Sequence, residues 1–132
     1  MGLLSRSVAL RLLLDSHILL RLDREPQLVP AAHRALIANP GNEVFVSAAT
    51  AWELGIKQKK GKLVLARTIS QQRIQWGFLE LPITFAHAEY AAALPLLHGD
   101  PFDRMLVAQA KVEGMVLVTA DSKLAQYGVA VL

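Results

Sequence analysis

Short apolar runs alternate with helical stretches along the whole chain, and this alternation leaves few architectures open. Leu10 to Leu14 reads as a first buried strand and Val44 to Val46 as a second. Phe78 to Leu81, stopped by Pro82, Met115 to Thr119 and Val129 to Leu132 read as three more. Between them lie helical stretches: one opened by Asp15-Ser16, then Ala31 to Ala38, Ala48 to about Lys60, Ile69 to Trp76, Thr84 to Leu94, Asp100 to Gly114, and a short one from Asp121 to Tyr127. Strands that alternate with helices imply a mostly parallel sheet covered on both faces. The expected class is α/β.

The punctuation supports these limits. Asn39-Pro-Gly-Asn42 is a strong turn signal, Ser47 is placed to cap a helix, and Gly61 is placed to end it. The chain has 132 residues, the size of one domain, and 53 % of them are hydrophobic against 19 % charged. Such a chain can bury a core and is not a disordered segment. Met1 to Ser7 carry no pattern and read as a loose extension. No segment has the length of a membrane span, and Asp15 ends the one early apolar run without a small-residue cleavage site, so the expected compartment is the cytoplasm. There is no cysteine, which excludes disulfides, thiolate metal sites and cysteine nucleophiles. The net charge of +3 permits an anionic partner such as nucleic acid without requiring one.

Four acids stand at the ends of these elements. Asp15 follows the first strand and Asp121 the fourth. Glu53 lies about one and a half turns into the helix after the second strand, and Asp103 in the first turn of the helix from Asp100. Ligands of open parallel sheets bind at the carboxyl ends of the strands, where these acids would gather. Converging carboxylates repel one another, and a hard divalent cation relieves that repulsion. Mg²⁺ or Mn²⁺ held there can activate water and stabilise a phosphodiester undergoing displacement. Each acid also has a plain structural use. Asp15 and Asp121 can cap helices, Glu53 can pair with Lys57 at i,i+4, and Asp100-Pro-Phe-Asp103 has the form of a helix start. Pattern alone does not choose between these uses.

Other residues bear on the choice. Lys57, Lys59, Lys60 and Lys62 form the densest basic cluster, followed by Arg67 and Arg73. It reads either as a solvated helix face or as a phosphate-binding strip continuing from the helix of Glu53. Among the histidines, His98 is nearest in sequence to the acids and is a candidate base. His17 is expected to pack or bond locally, and His33 and His87 to be ordinary surface residues. Trp52 and Trp76 are expected to be packing residues.

At the acids the sequence resembles the PIN-domain family, and within it the VapC-type toxins. Four stretches carry the likeness, in the family's order: Leu13-Leu-Asp-Ser-His-Ile-Leu-Leu20, Val46-Ser-Ala-Ala-Thr-Ala-Trp-Glu-Leu-Gly-Ile-Lys57 with Gly61-Lys-Leu63, His98-Gly-Asp-Pro-Phe-Asp-Arg-Met-Leu-Val-Ala-Gln-Ala110, and Leu117-Val-Thr-Ala-Asp121 leading to Tyr127-Gly-Val129. Together they cover roughly residues 10 to 132. The resemblance implies a single domain with a five-stranded sheet in the order 3-2-1-4-5. It also implies a Mg²⁺- or Mn²⁺-dependent endoribonuclease acting as the toxin of a toxin–antitoxin pair, with RNA as substrate, a cognate antitoxin and a homodimeric assembly. Asp15, Glu53, Asp103 and Asp121 map onto the acidic constellation, and Thr119 onto the hydroxyl that orients an acid or water. Ser16 stands where many relatives have Thr. Asp100 reads as a helix cap. Two other functions fit an α/β chain with acids: a non-catalytic RNA-binding module on the same fold, and a Mg²⁺-binding receiver domain. The receiver pattern wants two adjacent acids after the first strand and one after the third. Leu14, Ser16 and Leu81-Pro82 supply none of these.

Overall fold

The computed structural model describes residues 9–132, so the expected extension Met1 to Ser7 lies outside the described residues. Strand β1 (Arg11–Leu14) runs through the middle of a parallel sheet, between β2 (Glu43–Ser47) and β4 (Val116–Val118), with β3 (Leu79–Leu81) beyond β2. Leu13 lies opposite Phe45 on one side and Leu117 on the other. The order β3-β2-β1-β4 agrees with the expected topology. Leu12, Leu13 and Leu14 are all fully buried, as a strand covered on both faces requires.

Alternation along the strands divides the core into two layers. Leu12, Leu14, Val44, Val46 and Val118 face one layer with Ile18, Leu19 and Leu22 of α1 (Ser16–Arg24), Ile37 of α2 (Ala31–Ala38) and Leu54 of α3 (Ala48–Lys59). Leu13, Phe45, Leu81 and Leu117 face the other with Leu106, Val107 and Ala110 of α6 (Pro101–Glu113). Two further helices, α4 (Ile69–Trp76) and α5 (Phe85–Ala93), lead into and out of β3. Each of these two begins with a capping box, Thr68 with Gln71 and Thr84 with His87.

The structure corrects two expectations. The fifth strand is reduced to a single parallel bridge between Leu117 and Val131. The chain leaves the short 3₁₀ turn Ser122–Tyr127 through Gly128 at φ +75°, and Val129 drops into the core. Only the segment from Ala130 to Leu132 then lies along β4, where it bonds Leu117 and Thr119. His87 is not a surface residue but 1 % exposed. Its Nδ1 accepts from the Thr84 backbone N–H, which leaves Nε2 to donate to Glu113 Oε2 at 2.7 Å. Both ring nitrogens are satisfied, so burial of the ring carries no orphan-group penalty. Trp52 and Trp76 pack against aromatic neighbours as expected, but at the surface, with 65 % and 42 % exposure. Trp52 meets Phe102 edge-on at 5.3 Å between centroids, and Trp76 stacks on Phe78.

Candidate metal and nucleic-acid site

Among the described residues, His98, Asp103 and Asp121 gather within metal-ligand distance of one another, while Asp15 at the end of β1 and Glu53 on α3 lie outside that group. Asp15, the residue after β1, caps α1 by accepting from the Ile18 N–H at 2.8 Å through Oδ1. Its Oδ2 accepts from Thr119 Oγ1 at 2.5 Å and from the Ala120 N–H at 3.3 Å. Thr119 Oγ1 in turn accepts from the Asp121 N–H. One hydroxyl thus couples the acid after β1 to the acid after β4. Asp121 also caps the 3₁₀ turn through the Lys123 N–H.

Glu53 is 6 % exposed on α3. It accepts from Ser16 Oγ at 2.6 Å and from Lys57 Nζ at 3.1 Å. The i,i+4 pair therefore forms, but on a buried carboxylate tied to the residue beside Asp15. Lys59, Lys60 and Lys62 are exposed at the end of α3 and in the following turn. Lys60 is seven residues beyond Glu53, about 10 Å along a helix axis.

Asp103 lies in the first turn of α6, which Asp100 caps by accepting from the Phe102 and Asp103 N–H groups. His98, on the loop before α6, places Nε2 3.0 Å from Asp103 Oδ2 and 3.8 Å from Asp121 Oδ2. One donor atom from each of His98, Asp103 and Asp121 lies within 4.8 Å of the others. Burial pushes the Asp103 carboxyl above its ordinary value. The His98 hydrogen bond pulls it back, while the Asp100 and Asp15 charges push it up. Asp15 thus acts electrostatically on Asp103.

Two carboxylates and an imidazole converging where a third acid adds negative charge form a donor set that fits a divalent cation. One oxygen of each carboxylate makes the cap and the other faces the site, so the two uses of Asp15 and Asp121 are not alternatives. Sequence reasoning singled out His98 only as a candidate base, and it missed the Trp52–Phe102 pair beside Glu53 and Asp103. The available signal was adjacency: Trp52 precedes Glu53, and Phe102 precedes Asp103.

The raised value at Asp103 gives a stability prediction with a definite sign. The folded state binds this proton more tightly than the unfolded chain does. The stabilisation is complete below the ordinary carboxylate value of 3.8 and is lost as pH rises through the higher folded value. In chelator, Asp103→Asn is expected to raise the melting temperature at pH 7 and to lose that advantage below pH 3.8. A lower melting temperature for Asp103→Asn at pH 7 would contradict the assigned cause. Calorimetric melts of both proteins across this range decide it.

The sequence and the fold have relatives among known proteins. The family model described as the PIN domain matches residues 12–130. Ribonuclease VapC22 of Mycobacterium tuberculosis is 33 % identical over 115 residues, covering 85 % of this chain and 88 % of that protein. Among solved structures, VapBC2 from Rickettsia felis, bound to a DNA fragment from its promoter, is similar with a TM-score of 0.66 at 17 % identity. That match covers 93 % of this chain and 98 % of the other. A toxin–antitoxin complex from Klebsiella pneumoniae gives a TM-score of 0.65 at 23 % identity, over 91 % and 94 % of the two chains. With the matched family model spanning nearly all the described residues and the curated relative covering most of both sequences, the chain belongs to the PIN-domain family.

Proposed function

We propose that this chain is a divalent-metal-dependent endoribonuclease and the toxin of a toxin–antitoxin pair. The observation that carries the reading is the convergence of His98, Asp103 and Asp121, coupled to Asp15 through Thr119. Support also comes from similarity to a protein named as a ribonuclease and from the toxin–antitoxin complexes among the structural neighbours.

In this reading Asp15, Asp103 and Asp121 hold Mg²⁺ or Mn²⁺, with Glu53 close to Asp15 through Ser16. A cation in such a site supplies Lewis acidity, lowering the pKa of water and neutralising charge on a phosphodiester. Thr119 fixes the orientation of the Asp15 carboxylate. Lys57, Lys59, Lys60 and Lys62 attract the RNA backbone. The acidic cluster also suits a basic antitoxin side chain, since an arginine pairs strongly with carboxylates. A homodimer fits the exposed apolar side chains, of which Phe85 and Leu96 are 88 % and 89 % exposed. Among the described residues no helix is long and apolar enough to cross a membrane.

The test is incubation of total RNA with the purified chain in Mg²⁺, Mn²⁺ or chelator, with the fragment ends sequenced. Discrete cleavage in either metal and none in chelator is expected. The toxin role adds that induced expression slows growth and that the antitoxin restores it. Intact RNA in both metals would overturn the nuclease reading.

A further inference from the structure

Of the three side chains that gather as possible metal ligands among the described residues, His98 is the one that offers nitrogen. Glu53 already has a donor on each oxygen, Ser16 and Lys57. Asp15 likewise has the Ile18 N–H on one oxygen and Thr119 with Ala120 on the other. The loop between α5 and α6 instead delivers a nitrogen, His98 Nε2, to the gap between Asp103 and Asp121. In the neutral ring with its proton on Nδ1, Nε2 presents a lone pair to that gap.

The loop is held from behind. Arg104, one residue after Asp103, donates to the carbonyls of Ala91, Leu94 and Pro95. The stretch that leads to His98 is thereby clamped to the same helix that carries Asp103. The imidazole is half-buried, with a side-chain exposure of 21 %, against 19 % for Asp103 and 36 % for Asp121.

We propose that His98 is a metal ligand that joins Asp103 and Asp121 in a mixed nitrogen and oxygen set and makes the site prefer Mn²⁺ to Mg²⁺. The inference rests on the metal-site reading above and adds the ligand that sets metal choice. Mg²⁺ favours oxygen donors and gives up water reluctantly, whereas imidazole binds transition metals well. A site of carboxylates alone would discriminate less between the two ions. The rival role for His98 is that of a counter-cation, its protonated ring sitting between two carboxylates until a metal displaces it. The two roles predict opposite effects of removing the ring.

The experiment uses the full chain stripped of metal. Mn²⁺ and Mg²⁺ affinities are measured by calorimetry for the wild type and for His98→Gln, and nitrogen coupling to bound Mn²⁺ by pulsed electron paramagnetic resonance. His98→Asn serves as a second variant, and thermal melts establish that both are folded. The wild type is expected to bind Mn²⁺ more tightly than Mg²⁺ and to show one coupled imidazole nitrogen. Loss of His98 is expected to weaken Mn²⁺ binding on the order of tenfold, to remove the coupling, and to leave Mg²⁺ affinity within about threefold. Unchanged or tighter Mn²⁺ binding in the variants, with no nitrogen coupling in the wild type, would assign His98 to the counter-cation role and overturn the inference alone. No binding of either ion by the wild type would overturn the metal-site reading with it.

Discussion

Asp15→Asn is expected to lower RNA cleavage by roughly a hundredfold or more while changing the melting temperature by only a few degrees. The substitution keeps the shape of the side chain and removes its charge. Asn caps a helix about as well as Asp, so the bond from the Ile18 N–H survives. The loss falls on the other oxygen. There Asp15 accepts from Thr119 and Ala120, and an Asn side chain presents either one oxygen short or an NH₂ where an acceptor stood. The Thr119 hydroxyl can rotate to accept from that NH₂ and only the long 3.3 Å bond from the Ala120 N–H is lost, a structural cost of about 1 kcal/mol. The activity loss follows from removing one negative charge from a site that must hold a divalent cation. Cleavage assays in Mg²⁺ and in Mn²⁺, run beside melts of both proteins, measure the two effects separately. Equal cleavage by the variant would remove Asp15 from the site, whatever the melt shows.

The largest stability effect should come from the centre of the sheet. Leu13 is fully buried in β1, with Phe45 and Leu117 on either side. Leu13→Ala removes the central side chain of the layer under α6, in a place where strands pinned on both sides cannot close the gap. The expected cost is about 2–5 kcal/mol, a fall in melting temperature on the order of 10 °C. Urea unfolding should show a lower midpoint with an unchanged slope. Val64→Ala is the control: Val64 is 78 % exposed, and its loss should cost less than about 0.5 kcal/mol. Comparable midpoints for the two variants would contradict the burial assigned to Leu13. The same measurement bears on function, because β1 carries Asp15 at its end.

The order of elements was legible because its signals are local. A run such as Leu12-Leu13-Leu14 suits only a strand covered on both faces. The caps at Asp15, Ser47, Thr84 and Asp100 form between residues two or three apart. The bounds of α2 and α4 coincide with those read from the sequence for the same reason. The fifth strand is where local composition and structure part. Val129 to Leu132 has strand composition, but ladder pairing depends on how the preceding turn delivers the chain to β4, and only one position pairs.

The sequence by itself determined the fold class, the family resemblance and the four acids at element ends, because each depends on residue type and short spacing. Only the tertiary structure decided how those acids are connected. Thr119 reaches Asp15 across 104 positions, Ser16 reaches Glu53 across 37, and no local pattern encodes either bond. The exposure of Trp52 and the burial of His87 belong to the same class. Each depends on which neighbour, Phe102 or Glu113, the packing brings alongside. His98 is only five residues from Asp103, yet its place beside Asp121 exists because β4 ends where the loop before α6 passes. Burial and convergence are sums over the whole chain's packing, and residue type at one position does not carry them.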